Sequence, residues 1–339
     1  MADDFDYDSF KPRVAVVGLG GQGSNLVNRL TSNGIKSADT IAMNTDIGHL
    51  NMIKAHKKIL LGKEITQGLG AGGFPEVAAK AAEMSRADIE AALKDYNLVF
   101  IAAGMGGGTG TGSAPFVAQV AREMGATVIA TVTYPFALER SRKLKAEWGI
   151  EQLSKQADSV IVIENDKLLS YVPNLPIERA FELVDNITGN AVRGIADTIT
   201  LPSLINLDFA DLRNVVKNTG TAVISLGAGH GSNRIEQAVQ STRTHPLLTV
   251  DYDGAKGALI HVVGGTNLTI RDATKIGEGV TTELASDANV IFGARMLPEL
   301  NDEVRVMSVI TGVKAKFGEA RKQKDEVEPL RMSAFDGAI

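Results

Sequence analysis

A chain of 339 residues with 44% hydrophobic and 22% charged content has the composition of a globular protein of about two domains. Its net charge of -5 supplies no basic footprint, which argues against nucleic acid as a partner. The absence of cysteine excludes disulfides and thiolate metal sites and fits a cytoplasmic location; no apolar run approaches the roughly 18–20 residues that cross a bilayer, so direct membrane insertion is not expected.

Residues 1–12, opening "MADDFDYDSF", read as an acidic flexible arm and not as a secretion signal. Arg13 then starts an alternation of strand-like and helix-like segments. "RVAVVG" precedes "SNLVNRL"; "TIAMN" and the helical "PEVAAKAAEMSRADIEAAL" follow. "NLVFIAAG" leads to "APFVAQVAREM", and "TVIATVTYPF", a helix to about Gln156 and "SVIVIE" complete the series. That order predicts an α/β fold with a doubly wound, mainly parallel sheet over residues 13–175. Between Pro176 and Pro202 the apolar positions Ile177, Ala180, Phe181, Val184, Ile187, Ala191, Ile195 and Ile199 keep helical spacing, which predicts a long central helix over 176–202. Residues 203–315 hold four strand-like and two helix-like segments, a smaller α+β domain, and 316–339 read as a mobile tail.

The stretch "GMGGGTGTGS", Gly104 to Ser113, has six glycines in ten residues. Glycine loses more conformational entropy on folding than any other residue, so such a run is a linker or a loop whose backbone must approach something closely. It is framed by a buried strand and by a helix that Ser113 would cap and Pro115 would begin, which favours the loop. A helix N-terminus offers unpaired N–H groups and a positive dipole end, and bare glycines let phosphate oxygens reach them; Thr109 and Thr111 can add hydroxyl donors. Two further loops, "GLGGQG" at Gly18–Gly23 and "GLGAGG" at Gly68–Gly73, are expected near the same sheet edge. The first satisfies G-x-G-x-x-G and, with Asp46 as a ribose-binding acid, supports a NAD-dependent enzyme as an alternative. One pyrophosphate needs one cradle, whereas three converging loops suit a longer polyphosphate. None carries the G-K-[ST] of a P-loop, so the reading is a nucleoside triphosphate held largely by backbone.

"GGGTGTGS" resembles the signature loop of the tubulin and FtsZ superfamily. "NTD" at Asn44–Asp46, "GLGAGGFPE", "TYPFALE", "NDKLL" and "INLDFADL" appear in the order expected of FtsZ, closer to it than to tubulin or the CetZ type, over about residues 12 to 315. The resemblance implies GTP and GDP binding, GTP hydrolysis, head-to-tail filaments, and a role in cell division, in the cytoplasm at the division site. A shape-determining or DNA-positioning paralogue and a non-polymerising nucleotide-binding regulator are the other functions this fold could serve. Carried over by position, Gly20, Gly21, Gln22, Ala71, Gly72, Gly104, Gly106, Gly107, Gly108, Thr109 and Gly110 would hold phosphates. Asn44, Asp46, Thr133 and Pro135 would belong to the same cleft, Glu139 and Arg142 would contact ribose, and Asn25, Asn165, Phe181 and Asp185 would surround guanine. The carboxylate of Asp185 can accept from both N1–H and N2–H₂ of guanine, a pattern adenine lacks, and Phe181 one turn earlier could stack on the purine or pack in the core. Gln22 and Ser24 replace small family residues, which predicts a tighter loop or side-chain contacts there.

Asp208 and Asp211 stand at i and i+3 and, read alone, would cap a short helix. The resemblance makes Asn206, Asp208 and Asp211 the catalytic set, entering the next molecule's site to polarise water. Mg²⁺ is then expected on the phosphates and water, since the histidines show no ligand spacing, and no protein-only metal site is expected. Expected partners are other copies of the chain and membrane adaptors or division proteins, with "EPLRMSAFDGAI" as the candidate adaptor peptide.

Overall fold

The computed structural model describes residues 11–167, 176–200, 208–217, 220–244, 250–252 and 254–315. The C-terminal tail, most of the acidic arm and Asn206 lie outside them. In chain order the first part runs β1 (Val14–Leu19), α1 (Gly20–Ser32), β2 (Asp39–Asn44), α2 (Ile47–Met52), β3 (Lys57–Leu60), α3 (Lys63–Thr66), α4 (Pro75–Met84), α5 (Arg86–Leu93) and β4 (Leu98–Gly104). It continues with α6 (Thr109–Glu123), β5 (Thr127–Tyr134), α7 (Arg140–Gln156), β6 (Ser159–Glu164) and a 24-residue helix α8 (Ile177–Thr200). The second part is α9 (Phe209–Val216), β7 (Gly220–His230), α10 (Arg234–Thr244), β8 (Val250–Asp251), β9 (Gly257–Gly264), α11 (Ile270–Thr281), β10 (Asn289–Met296), β11 (Glu303–Thr311) and β12 (Lys314–Ala315).

One ten-stranded sheet collects the long strands in the order β10-β9-β11-β7-β6-β5-β4-β1-β2-β3. Everything from β3 to β7 is parallel; β11 is antiparallel to both β7 and β9. Parallel strands need both faces covered, and alternation along β1 supplies two sets of apolar side chains. Val14 and Val16 join α1, α8 and α9 in one core; Ala15, Val17 and Leu19 join α5, α6 and α7 in the other. A third cluster lies under α10 and α11.

Sequence patterning misses two features. Lys57–Leu60 is an edge strand whose two exposed lysines hide it from an apolar-run reading, and lysine on an edge discourages pairing with other chains. The expected single helix over 75–93 breaks at Ser85, whose hydroxyl accepts from the N–H of Gly62 at 2.9 Å.

α8 is about 36 Å long at 1.5 Å per residue and packs on one face of the sheet. Near its start Asp185 pairs with Arg29 of α1 at 3.6 Å. Near its end Asp197 pairs with Arg295 of β10 at 3.3 Å, and a Cβ on Gly194 would stand 3.2 Å from the Met307 side chain of β11. Beside that contact the His261 ring is buried with neither nitrogen hydrogen-bonded, and burial lowers its pKa to about 4, so it is neutral at physiological pH.

Candidate functional site

Because β1, β2, β4 and β5 are parallel, their following turns share one sheet edge. The glycines that follow them touch. A Cβ on Gly20 would lie 2.9 Å from the Gly110 nitrogen, and one on Gly108 would lie 3.0 Å from the Ala71 Cβ and 3.2 Å from Gly73. The three loops therefore form one concave surface, as expected. Gly20 has φ 69 and Gly106 φ 95, conformations that exclude ordinary side chains. Gly21 and Gly107 differ: neither has positive φ, and a Cβ on either would meet nothing within 4 Å. Their bareness serves no packing need inside the chain.

The helix after the main glycine run starts at Thr109, four residues before the expected cap at Ser113, which instead donates to the Thr109 carbonyl at 2.6 Å. Likewise α1 starts at Gly20. Low helix propensity of glycine conceals both starts, and the consequence is that glycine-rich first turns point unpaired N–H groups into the concavity. Pro115 accordingly lies inside α6. Thr111 is no ligand donor: it is buried, and its Oγ1 accepts from the Gly106 N–H at 2.9 Å, fixing the loop. Thr109 Oγ1 lies 2.7 Å from Thr45 Oγ1, tying α6 to the turn after β2.

A small recess adjoins the loops, lined by Gln22, Thr133, Asp185 and Thr188 among others. Gln22 Oε1 accepts from Thr133 Oγ1 at 2.8 Å, and Gly104 packs against the Gln22 side chain; the expectation of side-chain contacts from Gln22 holds. Asp185 is 8% exposed, and burial pushes its carboxyl up to about 6 against the opposing pull of Arg29. Asn165 is buried at the end of β6 with its Oδ1 unpartnered, a group left in want of a donor. Phe181 is 40% exposed and meets Phe136 edge-on at 5.9 Å, so its ring is available and not committed to the core. Asn25 is exposed on α1, and Pro135 is buried beside Phe136. An unpartnered acceptor, a buried carboxylate and a free aromatic face fit a nucleobase; the bare glycine cradle fits its phosphates.

On the opposite side of the cleft Asn44 Oδ1 accepts from the N–H groups of Thr45 (2.9 Å) and Asp46 (3.3 Å). Asp46 caps α2 by accepting from the His49 N–H at 3.0 Å. Both shape the turn that carries Thr45. Glu139 and Arg142 pair with each other at 2.6 Å, and the Arg142 backbone packs under Gly106. Ala71 is buried and Gly72, with φ 60, is exposed beside the cradle. Arg29, Thr45 and Phe136 are neighbours that sequence reasoning passed over. Arg29 carries no local pattern, but Thr45 lies inside the quoted "NTD" and Phe136 inside "TYPF".

Asp208 and Asp211 are exposed and do not line the recess. Asp208 caps α9 by accepting from the Asp211 N–H at 2.7 Å. The last turn of α9 rests, through the Val215 carbonyl, on Thr311 Oγ1 at 3.1 Å, and Val215 packs on Gly257. Thr311 pairs with Ala222 at the entry end of β7, the end remote from the glycine loops. Among the described residues no group of three or more acidic or histidine side chains is arranged to hold a metal.

The profile of the tubulin/FtsZ family GTPase domain matches residues 13–173, and that of the FtsZ family C-terminal domain matches residues 220–314. Fold and site thus define a tubulin-like GTPase of the cytoskeletal class, which binds GTP and GDP and hydrolyses GTP. Cell division protein FtsZ 2 of Methanocaldococcus jannaschii is 55% identical over 306 residues, covering 89% of this chain and 80% of that protein. FtsZ 2 of Haloferax volcanii is 50% identical over 313 residues, covering 92% and 78%. The solved FtsZ dimer of M. jannaschii superposes with a TM-score of 0.86 at 43% identity, over 94% of this chain and 96% of that one. This chain belongs to the FtsZ family. A CetZ2 protofilament structure from H. volcanii, at 20% identity and a TM-score of 0.76, shares the fold.

Proposed function

We propose that this chain polymerises head-to-tail and hydrolyses GTP at the junction between successive molecules, as the filament of a cell-division ring in the cytoplasm. Phosphates sit on the first-turn N–H groups of α1 and α6 and on the Ala71–Gly72 turn. Guanine lies between Phe181 and the Asn25–Asn165 side, with Asp185 accepting from its N1–H and N2–H₂, and the Glu139–Arg142 pair opens toward ribose. The exposed Asp208 and Asp211, with Asn206, reach the γ-phosphate of the molecule on which they stack and orient the attacking water. Mg²⁺ is held through phosphates and water, since the cradle presents N–H donors that repel a cation; when bound it offsets phosphate charge. Adaptors supply membrane attachment.

One observation supports this reading: the cradle lies at the carboxyl ends of β1, β2, β4 and β5, whereas the last turn of the helix that carries the acids rests on Thr311, at the opposite end of the sheet beside the start of β7, so a second copy would be needed to bring the two together. The related solved FtsZ structure described as a dimer supports it. The test is GTPase rate against protein concentration, with sedimentation in GTP and in GDP. A threshold above which the rate per molecule rises steeply, coinciding with sedimentable polymer in GTP, is expected. A rate proportional to concentration from the lowest values, or tight GTP binding with no polymer at any concentration, overturns it in favour of a non-polymerising regulator.

A further inference from the structure

A second cavity, of about 270 Å³, opens on the far side of the sheet from α8, between the β7–β11 pair and the ends of α10 and α11. Ile224 and Met307 turn toward the core that includes α8, so their neighbours Ser225 and Ser308 turn the other way, into the cavity. The volume lies near the small end of the roughly 300–1,000 Å³ typical of ligand sites and far exceeds the ~30 Å³ share of one water.

Its lining changes with depth. At the floor Ser308 is 0% exposed and its hydroxyl has no hydrogen-bond partner, whereas the Ser225 hydroxyl is engaged with that of Tyr252. Val280, Leu284 and Ile310 supply the apolar part of the walls, beside the polar Gln240 and Thr244. At the rim Arg243 and Glu283, 39% and 58% exposed, pair with each other. The pair is mutually neutralised and leaves no net charge to attract a singly charged ligand, whereas a dipolar head group can engage the free donors of Arg243 and the second oxygen of Glu283 together. The floor wants one hydroxyl, the walls want an apolar body, and the rim wants a zwitterion.

We propose that this cavity is a second ligand site, for an α-amino acid of the tyrosine type. The carboxylate takes Arg243, the ammonium takes Glu283, the ring lies against Val280 and Leu284, and the phenolic hydroxyl satisfies Ser308. The site is independent of the nucleotide cleft, and its test does not involve GTP.

The experiment uses the full chain and L-tyrosine as probe, followed by ligand-observed NMR with titration. Three analogues each delete one feature: tyramine lacks the carboxylate, 3-(4-hydroxyphenyl)propionate lacks the ammonium, and L-phenylalanine lacks the hydroxyl. Saturable binding of tyrosine is expected, about tenfold weaker for each of the first two and several-fold weaker for phenylalanine. Ser308→Ala should abolish the preference for tyrosine over phenylalanine while leaving the free protein as stable or more so, since it removes an unsatisfied buried hydroxyl. Arg243→Gln, at a rim position that folding does not depend on, should weaken tyrosine about tenfold and leave tyramine unchanged. Absence of saturable tyrosine binding, equal affinity for all four compounds, or an unchanged tyrosine preference in Ser308→Ala overturns the proposal.

Discussion

Asp185 concentrates the tension between folding and ligand recognition in one side chain. Its carboxyl is 8% exposed and raised to about 6, chiefly by desolvation, with Arg29 at 3.6 Å recovering part of the cost. Because the folded value exceeds the unfolded one, folding favours the protonated form. The stability this contributes is complete below pH ~4 and is lost as pH rises through about 6, a change of about 3 kcal/mol for a shift of roughly two units. Guanine, on the reading proposed above, needs the opposite form: only the anion can accept from both N1–H and N2–H₂. Nucleotide-free protein should therefore lose stability as pH rises from 4 to 7, while preference for GTP over ATP grows. Measuring the ratio of the two affinities cancels titration of the phosphates. That ratio should fall by up to about tenfold per pH unit below 6, and Asp185→Asn should flatten it. A ratio independent of pH between 5 and 7 in the native protein would remove Asp185 from guanine recognition.

At the scale of elements, loop glycines divide by what a side chain would meet. Gly112 lies where a Cβ would overlap the Pro75 carbonyl, so it lets α6 and α4 approach; Gly107 faces open space at an ordinary φ. Gly112→Ala should cost several kcal/mol of stability through that backbone overlap. Gly107→Ala should leave the melting temperature nearly unchanged yet weaken GTP at least tenfold, because its methyl stands where phosphate oxygens must approach. Equal loss of stability in both variants would mean that the run of glycines serves packing alone. The same division explains what the sequence could and could not disclose. Apolar runs and glycine loops announce themselves locally, and the strand series from "RVAVVG" to "SVIVIE" and the convergence of three loops were legible for that reason. The starts of α1 and α6 were not, since the residues that begin them are poor helix formers held there by tertiary contacts. The break at Ser85 depends on Gly62, twenty-three residues away, and the Arg29–Asp185 pair joins two helices with no shared pattern.

For the whole molecule the decisive property is polarity. A sheet whose strands run parallel from β3 to β7 has two chemically different ends, here a concave surface of bare backbone at one and, at the other, the last turn of the helix that the acids begin. Within one chain α8, about 36 Å long at 1.5 Å per residue, packs as one continuous element along a face of that sheet. On the reading proposed above, the contact joins unlike ends of identical molecules and is heterologous: it closes into a ring only where its rotation allows and otherwise repeats as a filament. That arrangement makes complementation possible. Gly107→Glu places a negative charge in the open cradle, where it fits the fold but repels phosphate, and should bind no GTP. Asp211→Ala should bind GTP normally but hydrolyse it at least a hundredfold more slowly. Each variant alone should be nearly inactive, but mixed in equal amounts about a quarter of junctions would set intact loops against intact acids. The mixture should then hydrolyse GTP at a rate neither variant reaches, rising with total concentration. Retained inactivity across all ratios, with both variants folded, would show that the acids act within their own chain or not at all.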